Sequence, residues 1–203
     1  GLEEDDLMKL DAAEPTLIVD QAGLAAMDGT GSYKLGGDID LTGKSWTSIN
    51  FAGTLDGDGH TITLDGAPLF NAITTTGTVK NLLIAGHAEG EQVGTLAITN
   101  QGMIRNCYSS ASVKQTDWNN VGGLVYQQTA GSITNCVVTG ELSDNNYAAR
   151  FAIAAKASAG SSITYCYWVD KEGTYKSAFS GAGAEGTATG KETCEQTTED
   201  DIK

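Results

Sequence analysis

The chain has 203 residues, with 26 Asp plus Glu against 12 Lys plus Arg, a formal net charge of -14 and a hydrophobic fraction of 40%. That apolar content argues against disorder, and the negative charge opposes approach to phosphate backbones and anionic lipid, which excludes nucleic acid as a partner. No run approaches the roughly 18 apolar residues of a membrane span, so no membrane insertion by this segment is expected, and neither a signal segment nor an initiator Met is present.

Residues 1–15, "GLEEDDLMKLDAAEP", are acidic and lack strand alternation, which predicts a solvated arm or linker. Residues 16–32 form a predicted N-terminal cap. Asp20 is placed to cap a short helix near 20–28 that carries Leu24 and Met27 on one face and ends before Gly29 and Gly31. From Tyr33 the text changes to short apolar alternations, "DIDL" at 38–41, "HTITL" at 60–64 and "VKNLLI" at 79–84, and the 26 glycines against 2 prolines favour short strands joined by tight turns. Residues 33–176 are therefore read as strand-and-turn repeats. Residues 177–203 are read as an exit loop leading to the start of a helix at "TTEDDIK", the text of a chain that continues into a longer polypeptide.

One phrase recurs: "GMIRNCYSS" at 102–110, "GSITNCVVT" at 131–139 and "SSITYCYWV" at 161–169, with Cys107, Cys136 and Cys166 spaced by 29 and 30 residues. A period of this length marks a stacked repeat. Aligning the alternations places Ile39, Ile62, Leu82, Cys107, Cys136 and Cys166 in one inward column, with Leu96, Leu124 and Ile153 in a second. Successive strands without a helical pattern between them cannot be βαβ units, so each repeat must be a coil of a parallel β-helix.

Within the phrase, Ile104, Ile133 and Ile163 point inward and so does a Cys three residues later, which strict alternation forbids unless a turn lies between. Asn tolerates left-handed backbone, and its amide can bond the Asn one coil away. Asn81, Asn106 and Asn135 are thus expected to stack at a corner, with Tyr165 interrupting the stack and altering the last corner. Cys107, Cys136 and Cys166 are expected to be buried free thiols, because side chains in an in-register parallel stack point the same way and leave Cβ atoms about 4.8 Å apart, beyond disulfide reach. Cys194 falls outside the column and is the candidate for a reactive thiol.

The run "YKLGGDIDLTGKSWTSINFAGTLDGDGHTITL", followed by "PLFNAI", "TVKNLLIAG" and "VGGLVYQQTAGSITNCVVTGEL", resembles the GLUG-motif β-helix domains of bacterial surface proteins over roughly residues 17–203. The Gly-Leu-Val-Gly signature reads "GTLA" at 94–97, "GLVY" at 123–126 and "AIAA" at 152–155, so Tyr126 and Lys156 mark surface that departs from the family. The resemblance implies an all-β, right-handed, single-stranded parallel β-helix, a solenoid, in a secreted or cell-surface bacterial protein, adhesin-like and without a shared enzymatic activity.

"LDGDGH" offers Asp56, Asp58 and His60 at alternate positions but lacks the further acidic ligands of a calcium loop, and His60 and His87 sit at different strand offsets, so no metal and no cofactor are expected. Polysaccharide lyases on this fold need a basic residue beside clustered carboxylates, and neither Arg105 nor Arg150 has such a cluster in sequence, so no catalytic residue is assigned. Binding candidates are Trp118 in the polar insertion "QTDWNN", Tyr126, and Tyr108 and Tyr167 on an outward ladder with Val137. A Thr-x-Thr ice-binding face is rejected because "TIT" at 61–63 is not repeated in the adjacent coil. The expected function is a non-catalytic module of an exported surface protein, acting in adhesion or as a rigid spacer toward a protein or glycan partner. The alternative is a polysaccharide-binding or polysaccharide-degrading β-helix.

Overall fold

The computed structural model describes residues 14–144, 149–170 and 175–181, together with the short strands Ala188–Thr189 and Glu195–Gln196. The strands fall into three parallel sheets that the chain visits in turn, giving a β-solenoid of about six turns. One sheet of eight strands stacks Thr16–Ile18, Ser32–Leu35, Thr54–Asp56, Thr78–Lys80, Met103–Arg105, Ser132–Thr134, Ser161–Thr164 and Ala188–Thr189 in that order. After each coil's strand in this sheet the chain turns into a nine-stranded sheet, through segments such as Thr61–Gly66 and Leu83–Gly90, and then into a seven-stranded sheet, through segments such as Phe70–Ile73 and Ala97–Asn100.

Each sheet buries one face, so the alternation in sequence becomes columns along the axis. In the eight-stranded sheet Tyr33, Leu55, Val79, Ile104, Ile133 and Ile163 pair rung by rung and are all buried. Seven-stranded-sheet residues Ile49, Phe70, Ala97, Val125 and Ala154 form the corresponding row. A set of polar groups inside the tube bond to one another: Ser109 Oγ donates to Thr95 Oγ1 (3.1 Å), Thr95 Oγ1 to the Gly123 carbonyl (2.8 Å), and Asn100 Nδ2 to Gln128 Oε1 (2.8 Å). Such satisfaction is what lets polar atoms sit in a dry core. The buried Gln115, by contrast, donates from Nε2 to the Glu91 carbonyl (3.1 Å) and leaves its Oε1 unbonded.

One expected column splits in two. Ile39, Ile62 and Ile84 pair with one another, continuing to Ser109, Val138 and Trp168, whereas Leu82 lies two residues earlier and aligns with Cys107, Cys136 and Cys166. A slip of two keeps the same face, so alternation alone does not detect it. The early coils also lack the Asn-Cys phrase that fixes the later ones.

The helix spans Gln21–Ala25, with Asp20 accepting from the Gly23 amide at 2.8 Å and Leu24 buried. It takes the place of two strands between Thr16–Ile18 and Ser32–Leu35, which pair directly, and so lies over the end of the tube. The helix stops earlier than the expected 28 because Asp28 makes its own turn. Its Oδ1 accepts from the Thr30 and Gly31 amides (2.8 and 2.9 Å) and from the Tyr33 hydroxyl (2.6 Å). The Tyr33 hydroxyl, then the two amides, hold the Asp28 carboxyl well below the usual carboxylate range. Parallel pairing thus begins at Thr16 rather than Tyr33 and reaches Glu195–Gln196. Residues 1–13 lie outside the described part of the chain.

Asn81, Asn106 and Asn135 have φ of 53, 53 and 52°, and their amides chain together: Asn135 Nδ2 donates to Asn106 Oδ1 (2.9 Å), Asn106 Nδ2 to Asn81 Oδ1 (3.1 Å) and Asn81 Nδ2 to Asp56 Oδ1 (2.9 Å). Tyr165 also has φ of 53°, so the last corner keeps the same backbone and loses only the amide, in contrast to the altered corner expected from sequence. Removing the Asn106 side chain should therefore cost twice. Asn106→Ala gives up two exposed hydrogen bonds and the short polar side chain that lets Asn tolerate left-handed backbone, for about 2–3 kcal/mol in all, whereas Asn106→Gly loses the same bonds but has no Cβ to strain the corner and should cost about 1 kcal/mol. Urea titration of the two variants separates the terms, and equal losses would show that the corner conformation contributes nothing.

Candidate ligand-facing surfaces

The outward side of the eight-stranded sheet carries charge in pairs. Lys80 Nζ lies 3.0 Å from Asp56 and Lys34 Nζ 3.0 Å from Asp58, each across the stack. Burial alone would raise the Asp56 pKa, but the Asn81 amide and Lys80 outweigh it and hold the carboxyl below its ordinary value. The "LDGDGH" carboxylates are thus engaged by cations and amides of neighbouring coils. His60 faces Asp38 (3.4 Å) and His87 faces Asp65 (3.7 Å), two separate cross-coil contacts. Among the described residues no three of His, Cys, Asp and Glu converge as a metal-holding group.

Cys107, Cys136 and Cys166 are free and buried, each thiol donating at 3.3 Å to the carbonyl two residues earlier, that of Arg105, Thr134 and Thr164. Burial, then the neighbouring thiols Cys107 and Cys166, push the Cys136 thiol well above its ordinary pKa, so it is a poor nucleophile. Cys194 lies outside the described residues.

Aromatic candidates separate. Tyr108, Val137 and Tyr167 pair in one outward column of the nine-stranded sheet. Tyr108 is half-buried, its hydroxyl sharing a 2.8 Å hydrogen bond with that of Thr139, and Tyr167 is 36% exposed. Trp118 stands at the other end of that sheet, on the loop following Ser112–Gln115, and is 70% exposed. Tyr126, singled out as a possible contact, is fully buried. Its hydroxyl donates to Asn119 Oδ1 (3.3 Å), and Lys156 Nζ lies 4.9 Å from its ring centre. Loop 116–120 covers this outward tyrosine, and Tyr126 acts as an anchor rather than a platform.

Two groups that sequence reasoning missed hold this loop. Asn119 takes the Tyr126 hydroxyl, and Asn120 Oδ1 accepts from the Ala149 amide at 3.2 Å, tying loop 116–120 to the next coil. The signal was the "NN" beside an aromatic, which reads in isolation as ordinary loop text. Arg150 lacks a carboxylate cluster in sequence, yet its Nε meets Asp144 Oδ2 at 2.8 Å with both side chains largely buried, and that pairing occupies it. A cleft of about 160 Å³ lies between Thr139, Glu141, Leu142, Val169, Asp170 and Tyr175. Tyr175 closes it from the side, its hydroxyl donating to the Gly140 carbonyl and accepting from the Leu142 amide, both at 3.0 Å, and burial first among the causes pushes its phenol up to about 12.

Comparison with known proteins places the fold but no family. No family model matches the chain. Halomucin of Haloquadratum walsbyi is 33% identical in an alignment of 121 positions, gaps included, that covers 46% of this chain and 1% of halomucin. The crystal structure of a "putative immunoglobulin A1 protease" from Bacteroides ovatus superposes with a TM-score of 0.56 at 18% identity, covering 95% of this chain and 86% of that one. At that identity the likeness is one of fold alone. The chain is a parallel β-solenoid similar to a small part of one very long protein.

Proposed function

We propose that this chain is a non-catalytic, GLUG-type β-helical module of an exported surface protein, acting in adhesion or as a rigid spacer. One observation carries the reading. Lysines on the outer face are engaged in cross-coil pairs, Lys80 with Asp56, Lys34 with Asp58 and Lys114 with Glu89 (3.9 Å), and the arginine beside the cleft of Glu141, Asp170 and Tyr175, Arg150, is taken up by Asp144 (2.8 Å), which leaves that cleft without an available base. A stack in which every coil covers its neighbour resists bending and transmits distance, which is what a spacer requires. The match to 1% of halomucin supports membership of a longer polypeptide.

The test combines shape with turnover. Small-angle scattering of the purified chain should give a compact cylinder about 30 Å long, the length of six coils at strand spacing, and incubation with polyuronates, neutral polysaccharides and immunoglobulin A1 should release neither sugars nor peptides. Turnover by the purified chain, lost when Arg150 is replaced by Ala, would overturn the non-catalytic reading.

A further inference from the structure

We propose that loop 116–120 is a glycan-binding site in which the Trp118 indole stacks on the C–H face of a neutral sugar ring. Its neighbours on the loop, the half-buried Asp117 and Asn119, would supply polar contacts. This deepens the surface-module reading and rests on it, since an adhesive module needs a ligand.

Exposure singles out Trp118 among the three tryptophans. Trp46 is partly buried and donates from Nε1 to the Leu69 carbonyl at 3.0 Å, and Trp168 is 8% exposed, whereas Trp118 presents 70% of its surface to solvent. An indole held in water forfeits the burial that its apolar area would otherwise gain. The loop beneath it is nevertheless fixed, tied at Asn119 to a fully buried tyrosine and at Asn120 to the following coil. A platform fixed before binding loses little freedom when a ligand arrives.

Size and charge choose the ligand class. The other large exposed apolar residues among those described, Leu17, Val19, Met103, Tyr165 and Tyr167, lie on other strands and corners, so the indole forms no broad apolar patch. A protein partner would need about 800 Å² of buried surface on this side, whereas a sugar ring needs one aromatic face and a few polar groups. The net charge of -14 disfavours polyanionic glycans. Beside the anchored Tyr126 runs a neutral-to-basic outward column, with Thr99, Gln127 and Lys156 paired on successive coils, able to donate to and accept from hydroxyls along an extended chain.

Trp118 is the accessible fluorophore, so binding can be read directly. The folded chain is titrated with oligosaccharides of glucose, mannose, galactose and N-acetylglucosamine, and with heparin and polygalacturonate, while tryptophan emission and iodide quenching are followed. Expected is a saturable blue shift with protection from iodide for at least one neutral oligosaccharide and no response to the polyanions. By calorimetry, Trp118→Ala should weaken that affinity at least 10-fold, Trp118→Phe should retain part of it, and Tyr126→Phe, which loses only the anchoring hydroxyl, should weaken it several-fold with an unchanged circular dichroism spectrum. Silence across the neutral panel, binding indifferent to Trp118→Ala, or a response to polyanions alone would each overturn the inference. Those results leave an inert spacer module as it was, while glycan or peptide turnover would instead strike the module reading.

Discussion

Phe51→Ala is expected to cost about 3–5 kcal/mol, near the top of the range for large-to-small core changes. Phe51 is fully buried, its ring stacked on that of Phe70 with centroids 4.7 Å apart and tilted against Tyr33 at 6.3 Å. In a globular core, neighbours shift to close part of a void. Here the coils above and below are held at strand spacing by backbone hydrogen bonds, such as Thr74 N to the Phe51 carbonyl at 2.8 Å, so the tube has little freedom to collapse along its axis. The loss should be local as well as large, because a solenoid's stability is a sum of coil and interface terms. Hydrogen exchange is expected to accelerate over Thr54–Asp56 and Phe70–Ile73 while Ser132–Thr134 keeps its protection. Uniform acceleration along the whole chain would mean that the coils unfold as one unit, and a loss below about 1.5 kcal/mol would mean that the void closes.

How much could be read beforehand follows from the same one-dimensional character. The phrase around Cys107, Cys136 and Cys166 combines an inward Ile, a left-handed Asn and an inward Cys, three constraints of different kind, and the coils it marks pair in the register that it implies. Ile39, Ile62 and Leu82 offered only alternation, which is blind to a shift of two, and there the column divided. The cap helix was legible from Asp20 and Leu24, but its early end depended on Asp28 finding the Tyr33 hydroxyl, a contact set by the coil rather than by helical spacing.

Surface features were less legible than the core, for a physical reason. Inward residues answer to one environment repeated every coil, whereas outward ones answer to whatever loop happens to cross them. Tyr126 is outward by pattern and buried in fact, because Asn119 and its loop lie over it. Trp118, on that loop, keeps the exposure its polar neighbours suggest. Arg150 and Asp144 are six residues apart, and only the path of the intervening chain brings them together.

Gly131→Ala and Gly160→Ala should differ although both residues have positive φ, +67 and +81°. Each alanine incurs the left-handed strain of about 1–2 kcal/mol. At Gly160 a new Cβ would meet nothing within 4 Å, and strain should be the whole cost. At Gly131 the Cβ would lie 2.0 Å from the Gly102 carbonyl oxygen and 2.4 Å from that of Gln101, both backbone atoms of the preceding coil. The Gly102 carbonyl also accepts the Ser132 amide at 2.9 Å, so relieving the clash means lengthening a hydrogen bond that joins the two coils. Overpacking of this kind costs about 1–3 kcal/mol, which brings Gly131→Ala to about 2–5 kcal/mol in total. Urea unfolding of the two variants against the parent chain measures the difference. Equal losses would show that adjacent coils slide past the added methyl, and the stack would then be far softer along its axis than a rigid spacer needs to be.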